Sequence, residues 1–255
     1  MIKFFRRIRK RFLSENKFTR YLIYAIGEII LVVIGILIAL YINNKNESRI
    51  ENNAEKQYLI SLKDEFLRNK DEVKRVLASC KSILQSGGNL ANWAQPDSIS
   101  VSNALIEQNL AKTFAEPPKF IQSPGILNDL ISSGNLNKIS SDSLRLFIQQ
   151  WIAITKDVED EEFELWRHRF NVMDLMNEKI SFKGVLASID YFSRLEGINN
   201  EIRFSSNSKE LLQDRKFENL LLFYFVNLNA LRLIYYPRLN TNINAIIEEI
   251  DAQLE

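Results

Sequence analysis

Residues 21–42 read YLIYAIGEIILVVIGILIALYI, and this run decides how the rest of the chain is organised. Its 22 positions carry one charged side chain, Glu28. At about 1.5 Å per residue, a helix of this length reaches roughly 33 Å, enough to cross a hydrocarbon core of about 30 Å. Tyr21, Tyr24 and Tyr41 lie near its ends, where amphipathic rings favour the membrane–water interface. The stretch predicts a transmembrane helix rather than a buried core helix.

Working outward, residues 1–20 hold eight basic side chains against one acid, Glu15, whereas residues 21–255 sum to −6. The positive-inside bias then keeps residues 1–20 in the cytoplasm and sends the remainder out. The expected location is a cell inner membrane crossed once, with a periplasmic C-terminal domain. A cleaved signal peptide would have a shorter apolar region and a small-x-small site, which Ile38-Ala39-Leu40-Tyr41 does not supply. A lipoprotein needs a Cys just after the apolar run, and the one Cys is Cys80. An uncleaved signal anchor remains. Within the tail, Ile2, Phe5, Ile8 and Phe12 recur at helical spacing, with Lys3, Arg6, Arg7, Arg9, Lys10 and Arg11 among them. Such a segment can lie on anionic lipid, or simply fix orientation as a solvated tail. It offers no module for reading nucleic acid.

The chain has 255 residues but only 8 Gly and 5 Pro, too little punctuation for a many-stranded barrel or sandwich. One Cys rules out an internal disulfide framework, and one Cys with one His removes most transition-metal sites. No cofactor is expected.

Met1-Ile2-Lys3-Phe4-Phe5-Arg6, Tyr24-Ala25-Ile26-Gly27-Glu28-Ile29, Leu31-Val32-Val33-Ile34-Gly35-Ile36-Leu37-Ile38-Ala39-Leu40 and Ile42-Asn43-Asn44 carry a resemblance. They resemble a large family of single-pass membrane proteins of unknown function from Bacteroidetes-type bacteria. That family typically continues Asn-Asn-Trp-Asn-Glu, where this chain has Lys45 before Asn46-Glu47, and has Gln where Tyr41 stands. The similarity extends more weakly to Ser133-Gly134-Asn135-Leu136, Ile139 and Leu144. It implies no enzymatic activity and no catalytic residue.

Beyond a short linker at 43–47, residues 48–255 predict an extracytoplasmic bundle of long helices, so the fold class is all-α. In 48–86, Leu59, Leu62, Phe66, Val73, Val76, Cys80 and Ile83 form a heptad seam with polar Asn69 in one slot. Gly87-Gly88-Asn89 is expected to end that helix. Short helices are expected at 98–112 and at 124–133, the latter capped by Ser123 with Pro124 in its first turn and closed by Gly134. A long helix is expected over 141–180, with Leu144, Phe147, Trp151, Ile154, Val158, Leu165, Val172 and Leu175 inward. Residues 181–206 are ambiguous. From Ser208 a third long stretch carries Phe217, Leu221, Tyr224, Leu228, Leu231 and Tyr235, then Leu239, Ile243, Ile246, Ile250 and Leu254. Its seam slips by one residue near Pro237, which should kink or break it. The linker at 43–47 lacks Gly and Pro, so it can be either helical or a polar hinge.

Among candidate sites, Glu28 sits on a seam with Leu31, Gly35, Ile38 and Ile42, and Gly35 with Ala39 makes a small-xxx-small pair. A carboxylate in a membrane is costly and usually functional, so the seam predicts contact with a second copy or another membrane protein. Alternatively, Glu28 reaches toward Tyr24, Arg20 or water. His168 lies near Glu161 and Glu164, but a lone His between Arg167 and Arg169 reads as a helix-face residue. Glu159-Asp160-Glu161-Glu162 reads as a solvated face. Ser206-Asn207-Ser208-Lys209 and Ser14-Glu15-Asn16-Lys17 fit S-x-x-K without a following K-T-G. Cys80, Trp93, Trp151 and Trp166 read as core, with exposure beside the Gly87-Gly88 turn as the alternative for Trp93. The sequence therefore predicts a non-catalytic, membrane-anchored structural or interaction protein, with an extracytoplasmic small-molecule sensor or regulatory subunit as the second possibility.

Overall fold

The computed structural model describes residues 18–95, 101–189 and 208–255. The basic tail residues Lys3 to Arg11, and most of the ambiguous 181–206 stretch, lie outside these. The chain divides into two compact units, one reaching to Gln57 and one spanning Tyr58–Glu255. Among the described residues every regular element is helical: α1 (Phe18–Trp93), α2 (Asn103–Phe114), α3 (Gly125–Ser132), α4 (Asp142–Lys179), α5 (Phe182–Ala187), α6 (Ser208–Leu212), α7 (Arg215–Ala230) and α8 (Tyr236–Leu254). Residues 43–47 are helical within α1.

In the first unit, the apolar run of α1 leaves Ile29, Leu31, Gly35, Ile38 and Ala39 exposed, and Glu28 half-buried. Among the described residues two stretches are long and apolar enough to cross a membrane: this one, and Arg215–Leu254, part of which is buried in the bundle.

The second unit is built on the seam that the periodicity marks. Leu59, Leu62, Phe66, Val73, Val76, Cys80 and Ile83 of α1 are all buried. They meet Leu144, Trp151, Val158, Leu165 and Val172 of α4 and the inner residues of α7 and α8 in one core. Ile148 is fully buried in α4, while Phe147 is only half-buried. Ser141 caps α4, its hydroxyl accepting from Leu144 N–H at 3.0 Å, and Ser102 caps α2 through Leu105 N–H at 3.3 Å.

Three expectations are corrected. The first helix does not stop at Gly87-Gly88-Asn89 but runs to Trp93. Gly87 serves close approach instead: a Cβ there would lie 2.3 Å from the Phe225 ring. Asn89 continues the contact by donating to Asn109 Oδ1 at 3.1 Å. Second, Ser123 does not cap α3, whose N-cap residue is Pro124 and makes no side-chain bond. The cap comes from α1, as described below. Gly134 does close that region, with φ 71°. Third, Pro237 does not break the last helix. The extra residue is taken up by a π-turn, Leu231–Tyr235, and Pro237 then falls in the first turn of α8, where its missing N–H costs little. The seam slips as expected: Leu231 and Tyr236 are buried, and Tyr235 lies between them half-exposed.

Candidate functional site

α1 presents Glu65, Asn69, Glu72 and Arg75 at helical spacing, and each grips the backbone of residues 119–127. Arg75 donates to Lys119 O at 2.8 Å. Glu72 accepts from Ile121 N–H at 3.0 Å. Asn69 accepts from Ser123 N–H at 2.8 Å and donates back to Ser123 O at 3.4 Å. Glu65 accepts from Ile126 N–H at 2.6 Å and Leu127 N–H at 3.2 Å, supplying the anionic cap that Pro124 cannot. The Arg75 guanidinium beside Glu72 holds that carboxyl below its ordinary value. From the other side, Glu162 of α4 accepts from Phe120 N–H at 2.7 Å. The loop's backbone is thereby fixed, and Pro117 and Pro118 are set beside Phe163 and Trp166 around a hollow of about 630 Å³.

Burial shifts several interior titratable groups against their charged forms. Burial raises the Glu162 carboxyl, opposed by hydrogen bonds from Phe120 N–H and from Tyr236 Oη at 2.8 Å. Burial likewise pushes the Cys80 thiol up to about 12. The Tyr224 and Tyr236 hydroxyls are raised above the usual phenol range, mainly by burial. A thiol or phenol so shifted carries almost no anion at neutral pH, and so makes a poor nucleophile. Among the described residues no three His, Cys, Asp or Glu converge as a metal set.

The outer surface of α7 is of a different kind. Its inner face, Phe217, Leu221, Tyr224 and Leu228, is buried. Yet Leu222, Phe223 and Val226 are 53%, 59% and 67% exposed, followed by Leu233 and Ile234 at 59% and 61%. Helical spacing places Leu222, Val226, Leu233 and Ile234 on one face. Phe163 of α4, 65% exposed, adjoins Ile234 across a hollow also lined by Asp157, Asp160, Glu161, Glu164 and Arg238. Helices α4 and α7 are joined along this edge by Asn227 Nδ2 donating to Glu161 at 2.8 Å and by His168 stacked on Phe223, their rings 6.0 Å apart. A helix apolar on both faces is normally covered on both.

Of the sequence-predicted residues, Glu28, Leu31, Gly35, Ile38 and Ala39 lie in the first unit, where an added Cβ at Gly35 would meet nothing within 4 Å. Cys80 and Trp151 are core, and Trp93 is half-buried. Trp166 corrects the core reading: it is 46% exposed and packs edge-on against Phe170. His168 sits on a ring rather than in an acid–base site. The charge run 159–162 is not uniformly solvated, because Glu162 turns inward to Phe120 and Tyr236. The seam positions do not reveal the uncovered apolar face of α7; its signal in the sequence is Leu222, Phe223, Val226, Leu233 and Ile234 between them.

The chain belongs to DUF6090, a family of unknown function, which it matches over residues 28–229. No curated protein and no solved structure matches it.

Proposed function

Since that family carries no assigned activity, we propose from the geometry that this is a non-catalytic, membrane-anchored interaction protein. Residues 21–42 cross a cell inner membrane once as an uncleaved signal anchor. The basic tail stays in the cytoplasm, and the bundle works in the periplasm through its surfaces. The observation that carries the reading is the outer face of α7 and the π-turn, apolar although the opposite face already fills the core. Contiguous uncovered apolar surface of this kind marks contact sites. The inert buried thiol and phenols argue in the same direction.

Site-specific photo-crosslinking in living cells tests it. A photoreactive side chain at Val226 is expected to give defined adducts to protein, while one at exposed Lys112 on α2 gives none. Equal, diffuse labelling at both positions would reject the reading.

A sensor is the second reading. It is supported by a hollow of about 530 Å³ between α4 and α8, lined by Phe147, Gln150, Thr241 and Asn242. Asn242 is buried and donates to Phe147 O at 3.2 Å, but its Oδ1 has no partner. A buried acceptor left unpaired is costly and invites a donor.

A further inference from the structure

We propose that the hollow between α4 and α8 is a binding site for a neutral, hydroxyl-rich small molecule of the saccharide class, with Asn242 as its deepest polar contact. The inference rests on the second reading above and deepens it by naming the class of ligand. The interaction reading at α7 does not depend on it.

The hollow is built into the packing of two helices. On α8, Arg238, Thr241, Asn242 and Ala245 recur at steps of three or four residues and so share one face. That face meets Phe147 and Ala153 of α4 around a volume of about 530 Å³. Two alanines, Ala153 and Ala245, stand where longer side chains would close the gap. The helices are pinned on either side of it: Arg238 donates to Asp157 Oδ2 at 2.7 Å beyond one end, and Ser141 donates to Glu249 Oε1 at 2.6 Å beyond the other. The opening is therefore part of the fold, and its volume lies in the range of roughly 300–1,000 Å³ that small-molecule sites occupy.

The donors and acceptors around it select the ligand. Asn242 is 6% exposed; its Nδ2 is committed to Phe147 O at 3.2 Å, and its Oδ1 has no partner. An enclosed acceptor left unmet is unfavourable, and a ligand O–H or N–H relieves it. Beside it, Thr241 gives its O–H to Pro237 O at 3.0 Å, which leaves the Thr241 oxygen as an acceptor too. At the rim, the exposed Gln150 carboxamide and the N–H groups of Arg238 that Asp157 does not take supply donors.

Charged ligands fit this set poorly. None of the described residues lining the hollow is a carboxylate, so an ammonium ion would meet a guanidinium without a counter-charge. A carboxylate or phosphate would set its oxygens against those of Asn242 and Thr241, and the charge of Arg238 is already balanced by Asp157. A hydroxyl donates and accepts from one atom, so neighbouring hydroxyls on a ring serve the interleaved acceptors and donors together. The C–H face of such a ring has an apolar counterpart in half-buried Phe147.

Saturation-transfer NMR on the full chain in nanodiscs, free of sugar-headed detergent, reads the binding. The probes are methyl β-D-glucoside, N-acetylglucosamine and maltose, beside choline, acetate and N-acetylalanine amide. At least one saccharide is expected to bind, and none of the other three. Asn242→Leu removes the acceptor at similar size and should weaken binding about tenfold. Ala153→Trp, at an exposed position, should fill the hollow and abolish binding, whereas Lys112→Ala on α2 should leave it unchanged. Melting temperatures taken alongside show that each variant is folded, and Ala153→Trp carries the test should Asn242→Leu unfold. Saccharide binding that both hollow variants leave unchanged would overturn the site. Binding of choline, acetate or the amide in place of saccharide, lost in both hollow variants, would overturn the ligand class while the sensor reading stands. Absence of binding by every probe would overturn the proposal and remove the support the hollow gives the sensor reading, leaving the α7 reading to its own test.

Discussion

Glu65 tests whether α3 depends on a side chain 61 positions away for its N-terminal cap. Glu65 is 1% exposed and takes two of the free N–H groups at the start of Gly125–Ser132, at 2.6 Å from Ile126 and 3.2 Å from Leu127. Hydrogen bonds to a charged acceptor contribute about 1.5–3 kcal/mol each, and a buried donor left unpaired loses most of that. Ile126 is half-buried and can recruit water, so about 1 kcal/mol is assigned to its loss; Leu127, 2% exposed, takes about 2–3 kcal/mol. Glu65→Ala should therefore destabilise the second unit by about 3–4 kcal/mol. Glu65→Gln keeps one acceptor, turns an amide N–H toward the other donor and forfeits the favourable charge at a helix N-terminus, for about 2 kcal/mol. Equilibrium urea unfolding of the full chain in detergent, followed through buried Trp151, gives the totals. Hydrogen exchange localises them: the amides of Ile126 and Leu127 should lose protection before those of α4. Exposed Glu116→Gln serves as a control with less than about 0.5 kcal/mol. If both Glu65 variants match that control, or if α3 amides stay protected, the cross-chain cap is not what holds this helix.

Three further outcomes follow from single features. Glu162 has a folded pKa raised by burial, so its ionised form costs stability at neutral pH and the cost is relieved as pH falls through the folded value toward its ordinary 4.5; Glu162→Gln, which retains an oxygen for Phe120 and Tyr236, should raise the melting temperature at pH 7, with the gain vanishing on acidification. A constant offset at all pH values would show that the carboxyl is not shifted upward. Gly134 holds φ 71°, so Gly134→Ala should cost about 1–2 kcal/mol in thermal unfolding even though its Cβ would meet nothing, and an unchanged midpoint would contradict the left-handed turn. In the apolar run, a Cβ added at Gly35 meets nothing within 4 Å, so a loss of association by Gly35→Ile in a membrane two-hybrid reporter reads as loss of close packing with a partner helix. There Gly35→Ile should weaken association more than Glu28→Ala, and two unaffected variants would leave Glu28 as a residue that merely reaches the interface.

The sequence by itself settled what is periodic. Leu59 to Ile83 on α1 and Leu144 to Leu175 on α4 are nearly all buried where a 3–4 repeat puts them, because a helix places every side chain by local geometry alone. The start of α4 near 141 was legible as well, and there Ser141 caps it locally, its partner Leu144 being three residues away. The slip near Pro237 was also legible, though its form was not: a π-turn and a kink shift the seam alike, and only packing of Leu231 and Tyr236 into the core chooses between them. Tertiary structure alone decided the rest. Gly87 reads as a helix stop until the Phe225 ring arrives from 138 residues further on to occupy the space a Cβ would need. Ser123 reads as a cap until Asn69 takes its backbone and Glu65 supplies the charge. Whether the second apolar face of α7 is covered depends on what lies beside it in space, which no one-dimensional pattern of side chains encodes.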